Sequence, residues 1–176
     1  MPSGLQPRSI AHEDIRTLRA RKKVPVGPGG VLHDYVPFYF GERSPMLYAN
    51  HVGKVLNNQS GQKPLIYLVS TVNLVRAHTF DWVFTDGHAV RSQTRFFDDV
   101  EDLDQVDWDA VGARYWANPP ALKRRKQSEF LVLRFMPIAA IKRIVVLNEE
   151  SADATKKILA AAKSNLPVRA KPDWYY

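Results

Sequence analysis

An α+β domain is what this sequence predicts, on the strength of its segment composition, segment order and length. Short runs around 35–40, 65–70, 82–84, 130–135 and 144–147 have the aromatic and β-branched composition of strands. The helical stretches between them are short and do not alternate regularly with the strands, which argues against a doubly wound sheet. At 176 residues with no cysteine and 45% hydrophobic content, the chain suffices for one domain (1–176) whose core needs no disulfide or metal. No internal repeat is present.

Residues 1–9 are rich in Pro, Ser and Gly and read as an extended lead-in. From Ile10 to Lys23 the spacing predicts a helix with Ile10, Ile15 and Leu18 inward, and with Arg16 and Arg19 one turn apart on a neighbouring face. Val24-Pro25-Val26 is a short extended piece, and Gly27-Pro28-Gly29-Gly30 is a turn that can continue neither helix nor strand. The most concentrated stretch follows. Tyr35 to Phe40 reads as a buried strand, stopped by Gly41. Ser44 before Pro45 then opens a helical turn carrying Met46, Leu47 and Tyr48, since Ser caps and Pro suits the first helical position. A strand, a polar turn and another aromatic can build the floor and rim of a pocket. Composition alone supports the plainer reading, a core strand with a capped helix after it.

Residues 57–62 form a polar loop with no core member, and Leu65 to Ser70 a strand continuous enough to be buried on both faces. Thr71 to His78 is a short helix with Val72 and Val75 inward. Trp82-Val83-Phe84 is a strand ended by a tight turn at Asp86-Gly87. Thr94 to Phe97 leads into an acidic segment, and Asp107 caps a helix running to Trp116. Asn118-Pro119-Pro120 breaks that helix, leaving Lys123-Arg124-Arg125-Lys126 as a loop. Glu129 precedes the strand Phe130–Phe135, Pro137–Ile141 is a helical turn, and Ile144–Leu147 another strand. Ser151 caps an amphipathic helix with Ala154, Ile158, Leu159 and Ala162 inside, and Pro167 to Tyr176 is a terminal extended segment.

A formal charge of +7 favours a polyanionic partner, and its distribution sharpens the point. Basic residues gather at 16–23 and 123–126, while 98–109 holds only acidic charges. Such segregation can hold nucleic acid on one face and repel it from another; solvated segments explain it equally. No apolar run can span a bilayer, no signal-like core opens the chain, and the expected location is the cytoplasm.

Several chemistries are excluded. The glycine turn at 27–30 lacks the strand–helix context of a dinucleotide motif, Gly-x-Ser-x-Gly is absent, and His12 and His33 have no partners at metal spacing. What remains is a lone acid, Glu129, at the edge of an apolar strand just after a basic run. A carboxylate there can bond sugar hydroxyls or stabilise an oxocarbenium-like centre, or it can be a solvent-facing strand start. His88 is a proton carrier or a turn residue. Arg19 clamps a pyrophosphate or lies exposed on its helix.

The blocks His33-Asp34-Tyr35-Val36-Pro37-Phe38-Tyr39-Phe40, Arg43-Ser44-Pro45-Met46-Leu47-Tyr48, Val83-Phe84-Thr85-Asp86-Gly87-His88-Ala89, Thr94-Arg95-Phe96-Phe97-Asp98-Asp99 and Glu129-Phe130-Leu131-Val132 occur in this order. In that order and register, from about Ile10 to Asn148, the chain resembles the DarT-type DNA ADP-ribosyltransferases, toxins of the DarT–DarG toxin–antitoxin pairs. The resemblance implies an ADP-ribosyltransferase-like mixed sheet, with NAD as donor and no metal. The acceptor it implies is a base in single-stranded DNA, thymine rather than guanine, and the partner a macrodomain antitoxin. It places the family's catalytic glutamate on Glu129, its arginine on Arg19 with Arg16 as competitor, and its active-site histidine on His88. Tyr39, Met46 and Tyr48, with Arg16, would line the NAD cleft, and Lys123, Arg124, Arg125 and Lys126 would hold the DNA backbone.

One departure accompanies the likeness. The family opens with a strand carrying a His and a Thr or Ser, followed by a helix. This chain begins at Met1-Pro2-Ser3-Gly4-Leu5, where the pattern is already past them. The resemblance therefore predicts a fold short of one strand, with reduced NAD affinity and turnover. The alternative reading is an impaired relative that binds DNA or an antitoxin without using NAD. A transferase acting on RNA or protein is a third.

Overall fold

The computed structural model describes residues 13–56, 58, 60–78 and 81–176. The lead-in, Ile10 and His12 lie outside the described residues, as do Asn57 and Gln59 of the polar loop. Two sheets, the larger wholly antiparallel, organise the rest. The larger has the order β1-β5-β3-β4, from β1 (Tyr35–Tyr39), β3 (Trp82–Thr85), β4 (Phe96–Phe97) and β5 (Glu129–Leu133). The smaller has the order β2-β6-β7, from β2 (Tyr67–Val69), β6 (Arg143–Val146) and β7 (Val168–Ala170). In the latter β6 and β7 are parallel, joined across the helix α6 (Glu149–Ala161).

Side-chain alternation gives the large sheet two unlike faces. Register pairs Tyr39 with Glu129, Val83 with Leu131 and Phe84 with Phe130. Tyr35, Val83 and Leu131 face one way, packing against Val24, Leu32 and Ala89. Tyr39 and Glu129 share that face by parity. Phe84, Phe130 and Val132 face the other way, with Phe38, Phe40 and Val75. Behind this second face lies a cavity of about 300 Å³, lined by Phe38, Phe40, Val75 and Phe130 of the large sheet's side and by Tyr67 and Trp174 of the small sheet's side.

Several sequence expectations change. Ser44 does cap α2 (Pro45–His51), accepting from the Leu47 amide, and Asp107 does cap α4 (Trp108–Gly112), which is shorter than expected. In α1 (Glu13–Arg21) Leu18 is half exposed rather than inward, because Arg19 takes the side turned to the body. Strand β2 is not buried on both faces: it is an edge strand with Leu68 half exposed. The polar loop after α2 contributes Gln62 to the interior. Asp86-Gly87 is not a two-residue hairpin, since β3 and β4 pair across a longer loop. Asn148, not Ser151, caps α6, accepting from the Ser151 amide; Ala152 is buried and Ile158 faces solvent. The terminal segment is anchored: Tyr175 is buried and donates to the Leu65 carbonyl, while the Arg43 guanidinium lies 4.3 Å over the Tyr176 ring.

The largest correction concerns 120–126. This stretch is a helix, α5 (Pro120–Lys126), not a loop. Pro119 and Pro120 read as breakers, but Pro120 occupies the opening turn, where its missing amide proton costs nothing. No described helix is long and apolar enough to cross a membrane.

Candidate active site

Glu129 opens β5 and is only 2% exposed, so it is not a solvent-facing strand start. A buried carboxylate needs partners, and it has them. Its Oε2 accepts from Arg19 Nη1 at 2.8 Å and its Oε1 from the Ala89 amide at 3.0 Å. Its own amide donates to Thr85 Oγ1, whose hydroxyl donates to the Gly87 carbonyl. The head group is thus gripped by α1 on one side and the β3–β4 loop on the other. Arg19 Nη2 also reaches the Leu32 carbonyl at 3.3 Å, which orients the guanidinium.

The same loop supplies His88. It is 8% exposed, and its Nδ1 has no hydrogen-bond partner. Burial pushes its imidazole below the ordinary value; Glu129 opposes the shift, and Arg91, Arg19 and Lys123 add to it. A neutral ring with a free nitrogen is therefore set beside a carboxylate. Tyr39, register partner of Glu129, has its phenol held well above the ordinary range by burial and then by the Glu129 charge. It stays protonated, a donor within the field of Glu129 and Arg19. Among the described residues no three His, Asp or Glu gather as metal ligands.

A buried arginine–glutamate pair, an uncharged histidine and a protonated tyrosine gathered at one antiparallel sheet is an arrangement that comparison makes specific. A family model described as "ssDNA thymidine ADP-ribosyltransferase, DarT" matches residues 2–176. The chain belongs to the DarT family. A DNA ADP-ribosyl transferase of Thermus sp. (strain 2.9) is 48% identical over 171 residues, covering 96% of this chain and 81% of that protein. The DarT of Thermus sp. 2.9 in complex with ADP-ribosylated single-stranded DNA has a TM-score of 0.93 at 46% identity, covering 99% of this chain and 84% of the other. The same protein in complex with NAD+ has a TM-score of 0.90 at 45% identity, with the same coverage.

Not every residue expected at this DarT-family site gathers there. Arg16, the competitor of Arg19, points outward and pairs with Glu13 one turn away. Met46 and Tyr48 sit on α2. Tyr48 joins a different aromatic group, edge-on to Trp116 at 5.6 Å and Tyr176 at 5.0 Å. The basic run also divides. Lys126 is 3% exposed and donates to the carbonyls of Glu42 and Val111; burial lowers its pKa. It is an internal tie and cannot meet a DNA backbone. Arg125 pairs with Asp107 at 2.9 Å, and Arg124 with the buried Asp86. Lys123 remains exposed, its ammonium 5.6 Å from the Trp116 ring centre.

Sequence reasoning passed over three contributors. Thr85 and the Ala89 amide fix Glu129, and Arg91 joins Lys123, Arg124, Gln93 and Gln127 around a groove of about 720 Å³. The signal for the first two lay within the Thr85–Ala89 block itself. For Arg91 there was none, since it stands alone in sequence and meets the basic helix only in space.

Proposed function

We propose that Glu129, Arg19 and His88 carry the transfer of ADP-ribose from NAD to thymine in single-stranded DNA. As a DarT-family DNA ADP-ribosyltransferase, the chain uses NAD as donor and single-stranded DNA as acceptor. The observation that supports this assignment of residues is the buried 2.8 Å pair between Arg19 and Glu129, with the unpartnered His88 nitrogen on the adjoining loop.

The chemistry follows from charge. Cleavage of the nicotinamide–ribose bond releases neutral nicotinamide and leaves a cationic, oxocarbenium-like ribose. Glu129 is a fixed anion that stabilises that cation without reorganising, because Arg19, Ala89 and Thr85 already hold it. Thymine has one free ring N–H, at N3, a poor nucleophile until its proton is lost. Neutral His88 takes that proton as the new nitrogen–ribose bond forms. Arg19 orients Glu129 and polarises the incoming carbonyl oxygens. Lys123 and Arg91 border the groove beside His88 and hold the strand's phosphates. The paired partner is a macrodomain antitoxin of the DarG kind, and the setting is the cytoplasm, where both DNA and NAD are available.

The test is modification of a thymine-containing oligonucleotide, read as a gel shift with NAD. Glu129→Gln is expected to abolish the shift, and an oligonucleotide lacking thymine to give none. Undiminished modification by the variant would remove Glu129 from the mechanism. Modification of guanine alone would move the enzyme to the family's other base.

A further inference from the structure

Asp86 lies one residue beyond β3 and is buried, yet it touches none of the groups just described. Its Oδ1 accepts from the Arg95 amide at 3.0 Å and from Arg124 Nη1 at 3.1 Å, and its Oδ2 accepts from Arg95 Nε at 2.9 Å. The bonds from Arg95 and Arg124 outweigh burial and keep its carboxyl ionised. The same Arg124 Nη1 reaches Thr94 Oγ1 at 3.3 Å, and the Thr94 hydroxyl donates to the His88 carbonyl. The Arg124 carbonyl accepts from the His88 amide at 2.9 Å. Gly87 follows Asp86 directly, and an added Cβ there would stand 2.4 Å from Arg124 Nη1 and 3.1 Å from its Cγ and Cζ.

Helix α5 ends at Lys126, only Gln127 and Ser128 before Glu129. The His88–Ala89 segment is therefore held twice: to α5 through Arg124, and to β5 through the Ala89 bond to Glu129. We infer that Asp86 is a positioning residue, clamping Arg124 and so α5 against the His88 loop, which sets His88 and Glu129 at their working separation. This rests on the roles given above to His88 and Glu129. The competing use of Arg124, as a phosphate contact from the wall of the groove, is the weaker one. Its inner nitrogen is already committed to Asp86 and Thr94, and the side chain is 21% exposed.

The test compares Asp86→Asn, Arg124→Gln, their double variant and Gly87→Ala with Arg95→Gln and Glu129→Gln. Turnover is normalised to the folded fraction, and oligonucleotide binding is measured separately by anisotropy without NAD. The clamp variants are expected to lose about tenfold to a hundredfold in kcat, the cost of a small misplacement. The double variant should be no worse than either single, with oligonucleotide affinity unchanged. Arg95→Gln, which removes the exposed partner, should stay within about twofold. Loss of DNA binding in Arg124→Gln with normal Asp86→Asn would overturn the clamp and make Arg124 a phosphate contact. Losses that vanish on normalisation would reduce it to ordinary stabilisation and overturn it equally. Should Asp86→Asn not fold, Gly87→Ala decides, since it displaces the guanidinium while leaving both charges in place; normal turnover there sinks the proposal. An active Glu129→Gln would instead refute the catalytic assignment, a separate result.

Discussion

Arg19 and Glu129 are 110 positions apart in the chain, and their side chains meet at 2.8 Å with the carboxylate almost wholly buried. The charge pair joins the first described helix to the second strand of the large sheet. Its geometry decides which substitutions can report on chemistry rather than on folding.

Glu129→Ala is the obvious variant and the wrong one. It would leave a mostly buried guanidinium unpaired, at about 3–5 kcal/mol. Glu129→Gln keeps the shape and one acceptor for Arg19. It is expected to lose about a hundredfold or more in turnover, the scale of removing one preorganised charge stabiliser. Thermal melting beside the oligonucleotide assay separates the two effects: a larger melting loss in the alanine variant with equal inactivity in both is the expected pattern.

Arg19 and Arg16 should separate cleanly. Arg16 is exposed and its Glu13 partner lies one turn away, a contact worth about 0.3–0.5 kcal/mol. Arg16→Ala should retain near-normal modification and melting. Arg19→Ala should lose both activity and stability, and Arg19→Lys should recover some stability with little activity because an ammonium cannot span Glu129 and the Leu32 carbonyl together.

The pH behaviour turns on His88, whose folded-state pKa lies below the ordinary 6.5. Between those two values the unfolded chain binds the proton and the folded one does not. Stability from this group is therefore lost as pH falls below 6.5, and the loss levels off once the folded imidazole is itself protonated. Chemical denaturation across that window should show the decline, and His88→Gln should flatten it. In kcat/KM the acid limb should sit below 6.5 and disappear in the same variant.

Lys123 and Lys126 carry the same charge to opposite ends. Lys126→Met should destabilise the fold by about 1–3 kcal/mol through two abandoned carbonyls, with the salt dependence of DNA binding unchanged. Lys123→Gln should leave melting alone and shallow the salt slope by about 0.7, the share of one phosphate on a single strand. A slope change in the Lys126 variant would contradict the buried placement.

Much of the frame was readable in sequence because local signals agreed with their surroundings. Tyr35–Tyr39 and Glu129–Leu133 have strand composition and are strands, and Ser44-Pro45 and Asp107 cap helices as their chemistry requires. The misreadings came where a residue type has two uses. Pro120 reads as a helix breaker but starts a helix, and the basic residues after it look like a solvated run although Lys126 points inward. Ser151 and Asn148 are both good caps, and only the path of the chain chooses between them. The acid at 129 and the arginine at 19 were marked by family likeness. That they touch is a tertiary fact which no spacing rule contains.

The two faces of the large sheet give Glu129 an unusual freedom. Everything that fixes the Glu129 head group approaches from the front, while the space behind Phe130 and Phe38 opens onto some 300 Å³. Side chains there can grow or shrink with the strand still anchored by its forward tethers. Tyr39 also lines that space, so the rear positions away from it, such as Phe38 and Val75, are the place to tune heat tolerance or solubility with the forward tethers of Glu129 left in place.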